Sequence, residues 1–188
     1  LTGFLEAVTS TSEPEKLLAD NITADGTVLC TVDPVRPSVD GDVCFFANLI
    51  ETQLTEKVRV GEAWGFDAKL KATTPVIRGA VLETVTRTTT GTSAAYLTLP
   101  AVGATERLYW GVHVFRTVAG TSPTLDLLIQ SDDATNFPSA TTRVTVTQFT
   151  THGSAFGYVA GAITDTYYRI SATVGGTGGP SFPYVVVL

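Results

Sequence analysis

Two adjacent aspartates, Asp132 and Asp133, follow the apolar stretch "TLDLLIQ" and open the segment "SDDATNFPS". Carboxylates on loops of a β-protein are the donors that calcium takes, and Asp126 or Asp165 would be needed to complete such a set. The same residue type directly after a strand is also a turn former, because its side chain bonds its own backbone two residues on. The second reading makes "SDDATNFPS" a solvated loop that ends a strand and is closed by Phe137-Pro138. We take the turn as the expectation and keep calcium at Asp132 and Asp133 as the alternative.

Other chemistry has few residues to draw on. There are two histidines. His113 lies in "YWGVHVFR", on the strand face it shares with Tyr109, Gly111 and Phe115, where a structural histidine is expected. His152 stands between threonine and glycine and reads as a loop residue. Neither has the spacing of a metal ligand set, and no nucleophile elbow, Walker loop or dinucleotide fingerprint occurs. The run "GGTGGP" has neither a lysine nor a following helix with which to hold phosphate. No cofactor and no enzymatic activity are expected. Exposed aromatic rings are a different resource, since they stack on sugars. Tyr109, Trp110, Tyr158, Tyr167 and Tyr168 all fall in strands, where adjacent residues face opposite ways. One ring of each adjacent pair then belongs to the core; core or interface packing is the expectation for these rings, and Trp110 and Tyr168 are the candidates for glycan contact as the alternative.

The elements that would position these residues are β-strands. Charged residues make up 16% of the chain and the hydrophobic set 44%, while threonine alone contributes 32 residues. Threonine is β-branched and suits a pleated, half-exposed surface. From residue 74 onward, segments of strand length alternate with Gly, Pro, Ser, Asn and Asp: "VIRGAVLETVTRT", "AAYLTLP", "RLYWGVHVFRTV", "TLDLLIQ", "TRVTVTQF", "SAFGYVAG", "DTYYRISATV" and "FPYVVVL". That spacing predicts an antiparallel β-sandwich, immunoglobulin-like or jelly roll, over 74–188. "RLYWGVHVFRTVAGTSPTLDLLIQ" and "DTYYRISATVGGTGGPSFPYVVVL" also share an order of aromatic strand, V-x-G-T, proline and apolar strand. Each reads as a β-hairpin with a glycine-proline loop.

Residues 1–73 carry mixed signals. Ser12 and Glu15 form a capping-box pattern for a short helix in "SEPEKLLADN". "DGTVLCTVDP" reads as a strand stopped by Pro34, and "GEAWGFDAKLKAT" as a strand with a bulge at glycine. In "GDVCFFANLIETQLTE" the apolar residues Val43, Phe46, Leu49, Ile50 and Leu54 fit a helical period, which predicts a helix near 43–54. A buried strand is the other reading of "DVCFFANLI". The fold class expected is therefore mainly β: an N-terminal β-barrel or sandwich portion with one short helix, then the C-terminal sandwich.

Charge and cysteine content narrow the partners. A net charge of −6 with no Lys/Arg cluster would not neutralise a run of phosphates. Cys30 and Cys44 cannot build a disulfide framework, although one bridge between them is conceivable beside two buried thiols. No apolar run approaches the ~20 residues that cross a bilayer, so no membrane insertion is expected. A chain that starts at Leu1 and has no methionine reads as one whose earlier residues were cleaved or lie outside this sequence.

The segments from "RLYWGVHVF" to "TRVTVTQ" and from "GYVAGAITD" to "FPYVVVL" resemble the C-terminal half of structural proteins of tailed bacteriophages. Upstream, "DGTVLCTVDPVRPSVDGDVCFFANLIETQL" and "VGEAWGFDAKLKAT" resemble the later portion of long-tailed phage tail-tube proteins. The resemblance spans nearly the whole chain but rests on turn and strand patterns rather than reactive residues. It implies a β-barrel with one flanking helix that forms hexameric rings stacked around a DNA channel, with an outward-facing β-sandwich appended. On that basis the chain is a virion (tail) protein, made in the bacterial host cytoplasm. Its partners would be further copies of itself and other virion proteins, with DNA only as passing cargo. Phe45, Phe46, Leu49 and Ile50 would form the assembly interface. The alternatives are a capsid or tail decoration protein, or a carbohydrate-binding module that contacts the host surface.

Overall fold

The computed structural model describes residues 2–4, 28–32, 39–57 and 65–188, and these contain twelve strands and no helix. The chain divides into two compact units. The first comprises Leu1–Cys30 and Ala47–Val76, the second Thr31–Phe46 and Ile77–Leu188. Each unit is thus built of two separate segments, and residues 31–46 join the later one. The capping-box segment at Ser12 lies outside the described residues.

The helix expected near 43–54 is instead strand β3, Val43–Lys57. Its first residues alternate, with Cys44 and Phe46 buried and Val43 and Phe45 exposed, which is a period of two rather than 3.6. Apolar residues on both sides of a strand imitate helical spacing, and β-branched and aromatic side chains favour the extended form. The ladders decide it: Val43–Phe46 pair with Ile77–Ala80, and Leu49–Lys57 pair with Gly65–Ala72.

In the first unit, β1 (Thr2–Phe4) pairs with β4 (Gly65–Ala72), which pairs in turn with the later part of β3. The bulge expected at the glycine of β4 is not there: Gly65 pairs in register with Lys57, and the register shift of this ladder lies in β3 between Glu51 and Gln53. The strand expected in "DGTVLCTVDP" is β2, Val28–Val32.

In the second unit, strands from two ladders enclose one core. One ladder runs β5 (Ile77–Arg87), the end of β12 (Tyr167–Val187), β8 (Arg107–Val114) and β11 (Gly153–Ala160). The other joins β10 (Thr141–Thr145), β9 (Ala119–Asp132) and the start of β12, with the two-residue strands β6 (Gly91–Thr92) and β7 (Leu97–Thr98) beside β12. All pairings are antiparallel. Alternate residues Leu125, Leu127 and Ile129 of β9 and Tyr168, Ile170 and Ala172 of β12 face Val112, Val114, Tyr184 and Val186 in one apolar cluster, a sandwich-like arrangement. Burying each such large side chain contributes about 1.5–3 kcal/mol.

The two expected hairpins are not hairpins. β8 and β9 lie in different ladders, and residues 167–187 form a single strand that serves both. The two glycine-proline segments pair with each other instead, Gly175 with Thr124, Thr177 with Thr121 and Ser181 with Ala119. Gly120 has φ +109° and sits against Pro180, while Gly176 has φ +106° and sits against Pro123. The likeness between the segments is that of two strands packed reciprocally. Where β12 enters the core, Glu83 is buried yet satisfied. It accepts from the Tyr184 hydroxyl and, at 2.6 Å, from Arg87, as a buried carboxylate must. Burial, and then the bond to Glu83, push the Tyr184 phenol well above its ordinary value.

Candidate functional site

β9 ends at Asp132, and its carboxylate is consumed by the adjoining turn. Oδ1 accepts the Ala134 N–H at 3.1 Å and Oδ2 accepts the Ser139 N–H at 2.9 Å. Burial raises the pKa of this group, but the backbone donors outweigh it and hold the carboxyl below its ordinary value. Asp133 is exposed beside it, and Phe137, buried beneath Arg169, closes the loop. The other acids are engaged elsewhere. Asp165 accepts from Ser131 at 2.7 Å and from Arg143 at 2.7 Å, which hold it below the usual carboxylate range. Asp126 is bonded to Gln148. Among the described residues no group of three His, Cys, Asp or Glu side chains is placed to hold a metal ion. The geometry is that of a strand end stapled by its own backbone.

The aromatic pairs do split between faces, but the rings nominated for glycan contact go inward. Tyr168 is 0% exposed in the core, and Tyr167 packs edge-on to Tyr96 at 5.3 Å. Trp110 packs against the core margin, its indole lying over Gly157, where a Cβ would come within 2.7 Å of the ring. The rings that reach the other face of β8 and β11 are Tyr109, Phe156 and Tyr158. Tyr109 lies 6.0 Å from Phe156 and 5.7 Å from Tyr158, and Phe46 meets Phe156 edge-on at 6.2 Å. Tyr158 is 51% exposed, with the Arg107 guanidinium 4.2 Å above its ring. This is a cation–π contact on a partly solvated surface. Sequence parity could have placed Tyr109 and Tyr158 on this face, since they are directly paired positions; the pairing of β8 with β11 was the missing knowledge. Near it, a groove of about 390 Å³ is lined by Val43, Leu99, Tyr109 and Leu188, with Arg78 and Arg107 among its polar groups.

His113 lies on the same side of β8 as Tyr109, as its place in the strand implies, and its Nε2 is 2.8 Å from the Thr31 hydroxyl. Burial lowers its pKa. His152 is exposed. Cys30 and Cys44 are thiols, not a disulfide. Among the described residues, no helix is long and apolar enough to cross a membrane.

The four residues expected at an assembly interface have separate fates. Phe46 is 1% exposed and packed inside the second unit. Leu49 and Ile50 are half-buried in β3 of the first unit. Phe45 is 41% exposed, and Val43, two residues earlier on the same strand face, is 37% exposed. Among the described residues, this side of β3, β8 and β11 presents exposed apolar side chains and the Arg78 and Arg107 guanidinium groups. No family model, no characterised protein and no solved structure that we compared matches the chain.

Proposed function

We propose that this chain is a structural protein of a tailed-bacteriophage virion, a tail-tube subunit that assembles with further copies into stacked hexameric rings around a DNA channel. The observation that carries the reading is the outward pair Val43 and Phe45 on β3, two large apolar side chains held in solvent while Cys44 and Phe46 turn inward. A strand that exposes such residues in a fixed row is suited to a subunit contact. The mainly antiparallel architecture and the sequence resemblance support it, although the flanking helix that the resemblance implies is not at 43–54, where β3 stands. In its finer form, Leu1–Cys30 and Ala47–Val76 belong to a barrel or sandwich portion of the tube wall, while Thr31–Phe46 and Ile77–Leu188 form an immunoglobulin-like or jelly-roll sandwich that contributes Val43 and Phe45 to the contact. Other virion proteins are its remaining partners, and DNA is passing cargo.

The test is negative-stain electron microscopy of the wild-type chain and of Phe45→Asp. Wild type is expected to give rings or tubes. The variant is expected to keep its far-UV circular dichroism and remain as separate subunits, because an exposed side chain can change without disturbing the core. Rings in Phe45→Asp would remove β3 from the interface, and separate wild-type subunits at high concentration would overturn the reading.

A further inference from the structure

β12 runs between two neighbours that extend further than it does. Its end pairs with β5 on one side and with β8 on the other, and Leu188 exchanges backbone bonds with Ala80 at 2.7 and 3.0 Å. Past that point β5 still has Gly79, Arg78 and Ile77, and β8 still has Tyr109, Leu108 and Arg107. The far sides of both are taken, β5 by β3 and β8 by β11. Strands that flank one place in a sheet stand about 9.5 Å apart, the width that one further strand fills. The groove of about 390 Å³ is this gap, with Leu188 at its inner end.

The alternation of ladder bonds fixes which backbone groups face the gap. Ala80 bonds Leu188, and Phe115 bonds Pro183. Counting in twos, Arg78 on β5 and Tyr109 and Arg107 on β8 turn their N–H and C=O groups inward. Among the described residues, none of the three has a backbone partner on that side. Unpaired groups on two facing strands are a template for a further strand. We propose that the gap is a docking slot for an extended segment of another protein chain, which enters in line with β12 and pairs with β5 and β8 together. This goes beyond the assembly reading above and does not depend on it.

The register states the chemistry of the occupant. Three residues, about 10 Å of strand, bond in turn to Tyr109, Arg78 and Arg107, and their side chains alternate between the faces. The first lies beside the half-buried Tyr109 ring, where an apolar side chain packs. The second turns to the core face, over Leu99, Leu108 and Leu188, and is apolar as well. The third shares the face of Arg107. That arginine is exposed and, like Arg78, has no acidic partner among the described residues, so an acidic side chain is its complement. Every described strand of this chain already sits in a ladder, which leaves none of them for a second copy to donate. The occupant is thus a partner strand that reads apolar, apolar, acidic, with affinity from the main chain and selectivity from the alternate side chains.

The probe is the peptide acetyl-Val-Leu-Glu-Ser-Gly-Lys(fluorescein)-amide, read by fluorescence anisotropy against the full chain. Saturable binding is expected, about tenfold weaker for Arg107→Glu. A probe with Lys in place of Glu is expected to reverse that order. N-methylation of the probe's Leu removes the donor that meets the Arg78 carbonyl. It is expected to abolish binding, which docking through side chains alone would survive. No saturable binding, equal binding of the N-methylated probe, or indifference to the charge exchange overturns the inference. Copies that associate and then no longer take the probe would place a second copy in the slot. A form of the chain with further residues after Leu188 that takes no probe would mean the slot is filled from within. Either result overturns the assignment to another protein.

Discussion

At His113 a neutral imidazole serves the folded chain better than a charged one. Val185 and Ser154 are its cross-strand partners, Thr31 is its hydrogen-bond partner, and burial lowers its pKa below the ordinary value near 6.5. The unfolded chain therefore binds this proton more readily. The contribution to stability is complete above about pH 6.5 and is lost as pH falls through the lowered folded value, with a slope of up to about 1.4 kcal/mol per pH unit. His113→Gln keeps a polar group beside Thr31 and removes the titration. Urea unfolding between pH 7 and 5 is expected to show a declining midpoint in wild type and a flatter one in the variant. Parallel declines would mean that His113 titrates alike in both states. The depressed carboxyls of Asp132 and Asp165 have the same sign but act lower, below about pH 4, near the ordinary aspartate value. At this scale much was legible. Asp132 bonds the N–H two residues on, as a turn aspartate does, and needs only local sequence to be recognised. Tyr168 was not legible, because which ring of an adjacent pair goes inward depends on which ladder covers that face.

The strand β12 is held between two ladders by glycine and proline at its centre. At Gly176 the backbone has φ +106°, and an added Cβ would stand 2.8 Å from the Pro123 Cα and 2.9 Å from the Ser122 carbonyl oxygen. Gly179 has φ +73° and nothing within 4 Å of the same position. Both would incur the backbone strain of a left-handed alanine, about 1–2 kcal/mol, but only Gly176 would also displace its neighbour strand. Gly176→Ala is expected to destabilise the protein measurably more than Gly179→Ala in urea titration. Equal losses would mean that the reciprocal packing against proline contributes nothing. Period-two runs such as "RLYWGVHV" and "LDLLIQ" were readable as strands because one face is buried and the other is not. β3 was not, since its apolar residues occupy both faces and imitate a helix. Nor were the partners of β8 and β9: the glycine-proline turns look like hairpin loops, yet their geometry joins the two repeats to each other.

Over the whole molecule, 12 Lys and Arg stand against 18 Asp and Glu, a net charge of −6. Several of the cations are already committed: Arg87 to Glu83, Arg143 to Asp165, and Arg107 and Arg169 over aromatic rings. A surface of this kind gains little from releasing the counterions of DNA, the term that supplies most non-specific affinity. Such a surface is consistent with the tube wall proposed above, past which DNA would slide. At low salt, where such attraction is strongest, duplex DNA mixed with the assembled protein is expected to migrate unshifted in a native gel. A shift that disappears as salt is raised would reveal a phosphate-binding surface. It would make DNA a bound partner rather than passing cargo, and would turn attention to Arg78 and Arg107 at the groove beside Tyr109.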